Sequence, residues 1–538
     1  MRRLIAALAI LLAVGPTASA QASAAESADA PAADAPAISI DSPVDGAGLS
    51  PRFLTVRGHF AQVSDMQLVV DAARTVPVTM DAAAGTWTAK VDLSDVDGTI
   101  GLAASGKNLQ TLYTQWSPFI SVAVHNPGAA KPAVAITSPV MGAALHGPRL
   151  EATIQVESRR TVRRVEARVN GGAWRPAVPG PGGRYRVQFN AGKGFAGIEA
   201  RAVDVAGRVG TSATTYVSVG GAVKPTQQRY EQDRAMWLWE QNSYPAVFDR
   251  AARDKLGAVM DDTTTFGSDP IRTLYVGVAA YNGRDMLRDS RSQVAAFVRW
   301  ARGRGYHVQA VIAGGTVPPY LGALPQYQDR AVAEFTKVLD YNLAVPADAR
   351  FDGVNVDIEP YLLPQWKEPG TTVPTSWLDL LAGFMRLRDA SGEQLLVGPA
   401  IPFWLDSSDC CTAITWHGKT APLSDHVQDL TDYVSLMDYT ETATGIVARA
   451  DHEVAYAATI GKPRSVVIGV ETKDLSGTGD PETVTFYEEG RAYMEGELDK
   501  VYAAEAGAPA FAGIAMHHYG SLLELPSVWG DGGAYYPE

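Results

Sequence analysis

Residues Phe351 to Tyr361 read FDGVNVDIEPY. Apolar side chains fall at every second position (Val354, Val356, Ile358), and between them come Asn355, Asp357 and Glu359. Such alternation predicts a β-strand with two unlike faces. A surface strand would explain it cheaply, but the neighbouring runs read as fully buried. They are AMWLWE (235–240), TLYVGVA (273–279), HVQAVIA (307–313), LLVGPAI (395–401), YVSLMDY (433–439), SVVIGVE (465–471) and FAGIAMHHY (511–519). Amphipathic helical stretches lie between them, for example SQVAAFVRWARGRG and SWLDLLAGFMRLRDASG. Ser, Asp or Thr tends to precede these helices and Gly to follow them. Strand and helix in alternation predict a parallel sheet, and eight such units predict a (β/α)8 TIM barrel over residues 229–538. A doubly wound sheet is the alternative, but no GxGxxG opens a βα turn. The barrel is the better reading.

Barrel strands turn alternate residues to the inner core and to the helix layer. With Val354, Val356 and Ile358 facing the helices, Gly353, Asn355, Asp357 and Glu359 must climb the interior, about 6.5–7 Å between successive ones. Glu359 then reaches the rim, with Asp357 one step below and Asn355 deeper. Carboxyls desolvated beside one another are costly, and their pKa values are pushed apart. One stays ionised while the other holds a proton, as acid catalysis at a glycosidic oxygen requires. A buried polar network that merely fixes the barrel is the plainer alternative. Three polar inward positions ending in a rim Glu favour chemistry.

Asp352-Gly-Val-Asn355-Val-Asp357-Ile-Glu359 resembles the DGxDxDxE signature on the fourth strand of family 18 glycoside hydrolases, the chitinase and endo-N-acetylglucosaminidase family. Ala313-Gly314-Gly315, Met437-Asp438-Tyr439 and Gly513-Ile-Ala515-Met-His517 are similar to that family's SxGG, MxY and GxMxW, with Ile312 at the Ser position. The resemblance covers the barrel and implies roles position by position. Glu359 would be the general acid/base. Asp357 would orient the substrate's own N-acetyl group as internal nucleophile, and Tyr439 would hydrogen-bond that acetamide. Asn355 stands where the signature has its middle Asp, keeping a hydrogen-bonding partner for Asp357 with one charge fewer. His517 stands where the family has the Trp flooring the sugar subsite, which removes stacking area and leaves room for a different sugar.

A second departure concerns Glu471, inward with Val467 and Gly469 at the rim of the seventh strand, where chitinases have no carboxylate. Retaining glycosidases of the Glu/Glu barrel clan pair a nucleophile Glu there with an acid/base Glu before Pro on the fourth strand, and Glu359-Pro360 fits that pattern too. Carboxyls about 5–5.5 Å apart would mean a covalent retaining enzyme, and about 6.5–9.5 Å inversion through water. Glu471 could equally bind a substrate hydroxyl or form a rim ion pair. Trp239 and Trp404 are candidate sugar platforms, Trp237 sharing the inward register of Trp239. Asp438 and Asp406, at strand ends, could bind sugar hydroxyls, with loop capping the better reading.

At 538 residues the chain needs two or more domains. Residues 1–20 have the positive, apolar and small-residue regions of a signal peptide, so a secreted protein is expected. Residues 21–37 read as a disordered spacer. ISIDSPVDGAGL (38–49) returns as VAITSPVMGAAL (134–145), each followed by short alternating strands. Two β-sandwich modules are predicted, 38–128 and 132–220, resembling bacterial immunoglobulin-like modules. Such modules act as spacers or as wall and glycan binders, and spacer is the expectation here. Adjacent Cys410 and Cys411 form either a vicinal disulfide or two unpaired loop thiols, and neither builds a disulfide framework or a metal site. His517 and His518 face opposite ways on a strand, so no metal or cofactor is expected. A net charge of −13 without basic runs argues against nucleic acid, and no GxSxG elbow supports acyl transfer. The sequence therefore predicts a glycosidase acting on a polysaccharide, with a non-catalytic glycan-binding lectin as the alternative from another class.

Overall fold

The computed structural model describes residues 37–109, 114–221, 226–476, 478 and 480–527. The expected signal peptide and residues 21–36 of the expected spacer lie outside them. Ala37 already belongs to a strand, paired with Ala61.

Eight parallel strands close a barrel: β1 (Ala235–Leu238), β2 (Thr273–Gly277), β3 (His307–Ile312), β4 (Gly353–Val356), β5 (Leu396–Pro402), β6 (Val434–Met437), β7 (Val466–Glu471) and β8 (Phe511–His517). The alternation of FDGVNVDIE decides its faces. Val354, Val356 and Ile358 lie in one apolar cluster with helix residues such as Val338, Leu381 and Phe384. Ala235, Trp237, Tyr275, Val311, Leu396, Tyr433 and Val467 form a separate apolar cluster. Helix ends follow local chemistry. Asp249 caps the helix Arg250–Asp261 by accepting from Ala251 N–H at 2.7 Å. Gly392 ends Val373–Ser391 at φ 75°, a conformation glycine takes without strain.

A belt of amides and phenols crosses the barrel below the mouth. Trp237 Nε1–H donates to Asn355 Oδ1 (3.1 Å), and Asn355 Nδ2 donates to Ser435 Oγ (2.8 Å) and Tyr433 OH (3.2 Å). Tyr433 OH in turn donates to Gln309 Oε1 (2.7 Å), and Gln309 Nε2 to Gln232 Oε1 (2.7 Å). Gly398 makes room for it, since a Cβ there would stand 2.3 Å from the Tyr433 ring. Asn355 is therefore spent on this belt, where the sequence paired it with Asp357. Its amide is consumed sideways by neighbouring strands.

Residues 37–124 and 133–219 form two β-sandwiches, each a four-stranded sheet facing a six-stranded one, with the same strand order. Each has its own apolar core. Both modules touch the barrel. The turn at Asp71–Ala72 sits against the loop after β3: Val317 N–H donates to Ala72 O (2.9 Å), and Arg330 Nη1 to Asp71 O (2.5 Å). Phe119 meets Tyr327 edge-on, with ring centroids 6.3 Å apart. From the second module Met141, Phe195 and Tyr216 pack against the barrel's outer apolar cluster. Among the described residues no helix is long and apolar enough to cross a membrane.

Candidate active site

The C-terminal ends of β4, β6, β7 and β8 bring five of the expected residues together, Glu471 ending β7. Asp357 and Glu359 follow β4 directly, and Tyr439 and His517 end the runs of β6 and β8. Glu359 is 7 % exposed and Tyr439 is buried. Burial lifts the Glu359 carboxyl well above the ordinary carboxylate range, and the charge of Asp357 lifts it further. Tyr361 OH donates to Glu359 Oε1 and pulls the other way. Asp357 is pushed up to about 6 by burial, against the opposing pull of His517. Burial holds the Tyr439 phenol far above its ordinary value, with the charges of Glu471, Asp357 and Glu359 adding to the effect. Both β4 carboxyls are therefore raised, Glu359 by burial and by the charge of Asp357, Asp357 by burial.

Glu471 is fully buried, and both of its oxygens are engaged. Oε1 accepts Thr472 N–H (2.9 Å) and Lys473 N–H (3.0 Å), while Oε2 stands 3.0 Å from His517 Nδ1. Trp239 Nε1–H donates to His517 Nε2 at 3.0 Å. An indole nitrogen can only donate, so Nε2 accepts and Nδ1 carries the proton toward Glu471. The result is a Trp239–His517–Glu471 chain that fixes the imidazole at the mouth. A carboxylate tied in this way orients His517. It is poorly placed to attack a sugar.

The structure separates the remaining candidates. Asp438 is fully buried on the outer face of the barrel, neither oxygen has a hydrogen-bond partner, and its nearest charges are Arg449 and Glu453 on the helix Ala443–Thr459. Alternation explains this: Met437 and Tyr439 face inward, so Asp438 must face the helices. It cannot reach a sugar in the mouth. Asp406 joins the same outer acidic group, its charge acting on Glu453. Trp404 is buried, with its ring 5.2 Å from that of Tyr361 in a T-shaped contact. It braces Tyr361 and so offers no open platform. Trp239 is half-buried at the mouth, whereas Trp237 belongs to the core. Cys410 and Cys411 form a vicinal disulfide in the loop after β5.

Two residues were missed. Tyr361 is carried back over Glu359 by the short 3-10 turn Pro360–Leu362. Pro360 signals that turn, but not where the phenol will land. Glu240, the last letter of AMWLWE, accepts Ala279 N–H at 3.1 Å, and its carboxyl is raised by burial and by Asp357. An acid closing a strand run was the available signal.

No family model matches the chain, and no curated protein matches it. Among solved structures, a chitinase from Rhizomucor miehei aligns at 14% identity and TM-score 0.31, over 54% of this chain and 95% of that one. A GH18 chitinase from Cycas revoluta aligns at 12% identity and TM-score 0.34, over 54% and 95%. A beta-glucuronidase from Bacteroides uniformis aligns at 10% identity and TM-score 0.34, over 88% of this chain and 58% of that one.

Proposed function

We propose that the protein is an exported glycoside hydrolase that cleaves a glycosidic bond in an N-acetylhexosamine-containing glycan. Glu359 protonates the leaving oxygen and then, as base, activates water. Asp357 holds the substrate's acetamide so that its carbonyl oxygen attacks the anomeric carbon, and Tyr439 hydrogen-bonds the same acetamide. Trp239 and His517 line the sugar subsite. The observation that carries the reading is the pair on β4: two carboxyls at a barrel mouth, one raised to about 6 and the other well above the ordinary range. A buried acid that keeps its proton near neutrality suits general acid catalysis.

The covalent alternative needs Glu471 free to attack. Its hydrogen bonds to two backbone amides and His517 favour the assisted mechanism instead. The lectin alternative has no use for a raised Glu359. The test is release of reducing ends from a polysaccharide panel by the full chain, with Glu359→Gln as control. Activity abolished in the variant supports the reading. Binding without hydrolysis in both proteins favours the lectin.

A further inference from the structure

Net charge is unevenly spread along the chain. Residues 133–219, the second sandwich, carry twelve Lys and Arg against five Asp and Glu, a net charge of +7. Residues 37–124 come to −3, and the barrel, residues 229–538, to −18. Attraction to the barrel does not account for the excess. The second module meets the barrel through Met141, Phe195 and Tyr216, and among the described residues no ion pair joins the two. Some of its cations are occupied within the modules. Arg159, Arg160 and Arg208 tie it to Asp97 and to the connecting segment 127–130.

The rest gather at one edge, where the chain passes from the strand Arg175–Pro176 of one sheet to Val178–Pro179 of the other. The guanidiniums of Arg168 and Arg201 stand 4.6 and 4.2 Å from the ring centroid of half-buried Trp174. Each also grips a carboxylate: Arg168 Nε and Nη2 donate to Glu199 Oε2 (3.0 and 2.6 Å), and Arg201 Nε donates to Glu166 Oε2 (2.8 Å). Next to this ladder are three exposed cations with no carboxylate. Arg175 lies with its guanidinium 5.4 Å from the Phe189 ring centroid, at the end of the core. Arg186 sits between Thr153 and Val178 on the neighbouring strands, and Arg184 is paired with Gln155. Val187 and Phe189 of the same strand enter the core, so alternation turns Arg184 and Arg186 outward, about 6.5–7 Å apart. Among the described residues no acid forms an ion pair with Arg175, Arg184 or Arg186. Val178 is 69% exposed beside them.

Carboxylates are what these three arginines lack and what the adjoining ladder already holds. We propose that this edge binds a carboxylated polysaccharide, its uronate groups taking on Arg175, Arg184 and Arg186 the place that Glu199 and Glu166 take on Arg168 and Arg201. Val178 meets the apolar face of a sugar ring. Nucleic acid fits less well, because the Trp174 ring is engaged by two guanidiniums instead of being free to stack on bases. An anionic membrane asks for a broader apolar ridge than one valine. The barrel, at −18, repels the polymer that the module holds, so this ligand is a matrix on which the protein settles and not what enters the mouth. The binding needs no hydrolysis and stands apart from the glycosidase reading.

The test titrates the full chain with polygalacturonate and with its fully methyl-esterified form at several salt concentrations. The acid polymer should bind and the ester should not. Arg175→Gln, Arg184→Gln and Arg186→Gln together should weaken binding about tenfold and flatten the fall of log K with log salt. Arg149→Gln with Lys193→Gln, at the other end of the strand Arg184–Asn190, should change little. An unchanged thermal midpoint shows that both variants are folded. No binding of polygalacturonate, equal binding of acid and ester, or equal losses in the two variants would overturn the proposal. So would tighter binding of duplex DNA or of phosphatidylglycerol vesicles than of polygalacturonate. If the acid polymer binds at this edge but no glycan is cleaved, the glycosidase reading alone fails. If hydrolysis proceeds and the triple variant binds as its parent does, the edge proposal alone fails.

Discussion

Halfway up the barrel Asn355 has its amide matched by Trp237, Ser435 and Tyr433. One step higher, Asp357 and Glu359 crowd each other with little but Tyr361 and His517 to relieve them. Both layers come from the same strand and from side chains of nearly the same size. The lower layer is neutral and closed on itself, so it holds the strands in register. In the upper one like charges meet in a poorly solvated place, and that unfavourable arrangement keeps a proton on Glu359. A satisfied network stabilises a fold, while an unsatisfied one stores a chemical preference.

If the comparison is right, the two layers should fail differently. The largest effect is expected at the rim: Glu359→Gln should lower kcat/KM about a thousandfold with little change in thermal midpoint. Next, Asp357→Asn should cost about a hundredfold in kcat and Glu471→Gln about tenfold. Equal losses, or a larger one at Glu471, would restore the covalent mechanism. In the belt, Asn355→Ala should destabilise by about 2 kcal/mol, because it strands the Trp237 N–H and the Tyr433 and Ser435 hydroxyls. Calorimetry reads this directly, and a loss of activity without a loss of stability would erase the distinction between layers.

Two smaller effects follow from protons. Because Asp357 is raised to about 6, kcat/KM should decline below about pH 6 as that carboxylate is neutralised; an acid limb near pH 4 would contradict it. Asp438 is also raised, far above an ordinary unfolded carboxyl. Between those two values the folded chain binds a proton that the unfolded chain lacks, so this group's contribution to stability falls as pH rises through the window. Asp438→Asn should flatten that slope and stabilise the protein by about 1 kcal/mol at neutral pH. Denaturant titrations at pH 5 and pH 8 would measure it.

Much of this was legible because strand alternation is local. FDGVNVDIE shows which side chains enter the barrel, and the same rule applied to YVSLMDY puts Tyr439 inside and Asp438 outside. The error of offering Asp438 to the substrate came from reading its place at a strand end and neglecting its face. Other features depend on partners remote in sequence. Asn355 meets Tyr433 and Ser435 across two strands, Trp404 lies against Tyr361, and His517 at the end of β8 is held by Trp239 just beyond β1, the strand beside it where the barrel closes. No spacing in the chain announces those encounters. The modules show the same limit: their repeat was plain, while the docking of Ala72 on the loop after β3 and of Tyr216 on the barrel's outer apolar cluster was not.

That docking has a practical consequence. A barrel excised at residue 229 would bare the Tyr327 ring and strip Arg330 and the Val317 amide of their acceptors. The Gly314–Ala323 loop leans on Ile358, between the two β4 acids, since a Cβ at Gly314 would meet Ile358 Cδ1 at 3.4 Å. Trimming the N-terminal modules would thus loosen β4 from outside, and a minimal fragment is the wrong reagent for measuring what this protein does.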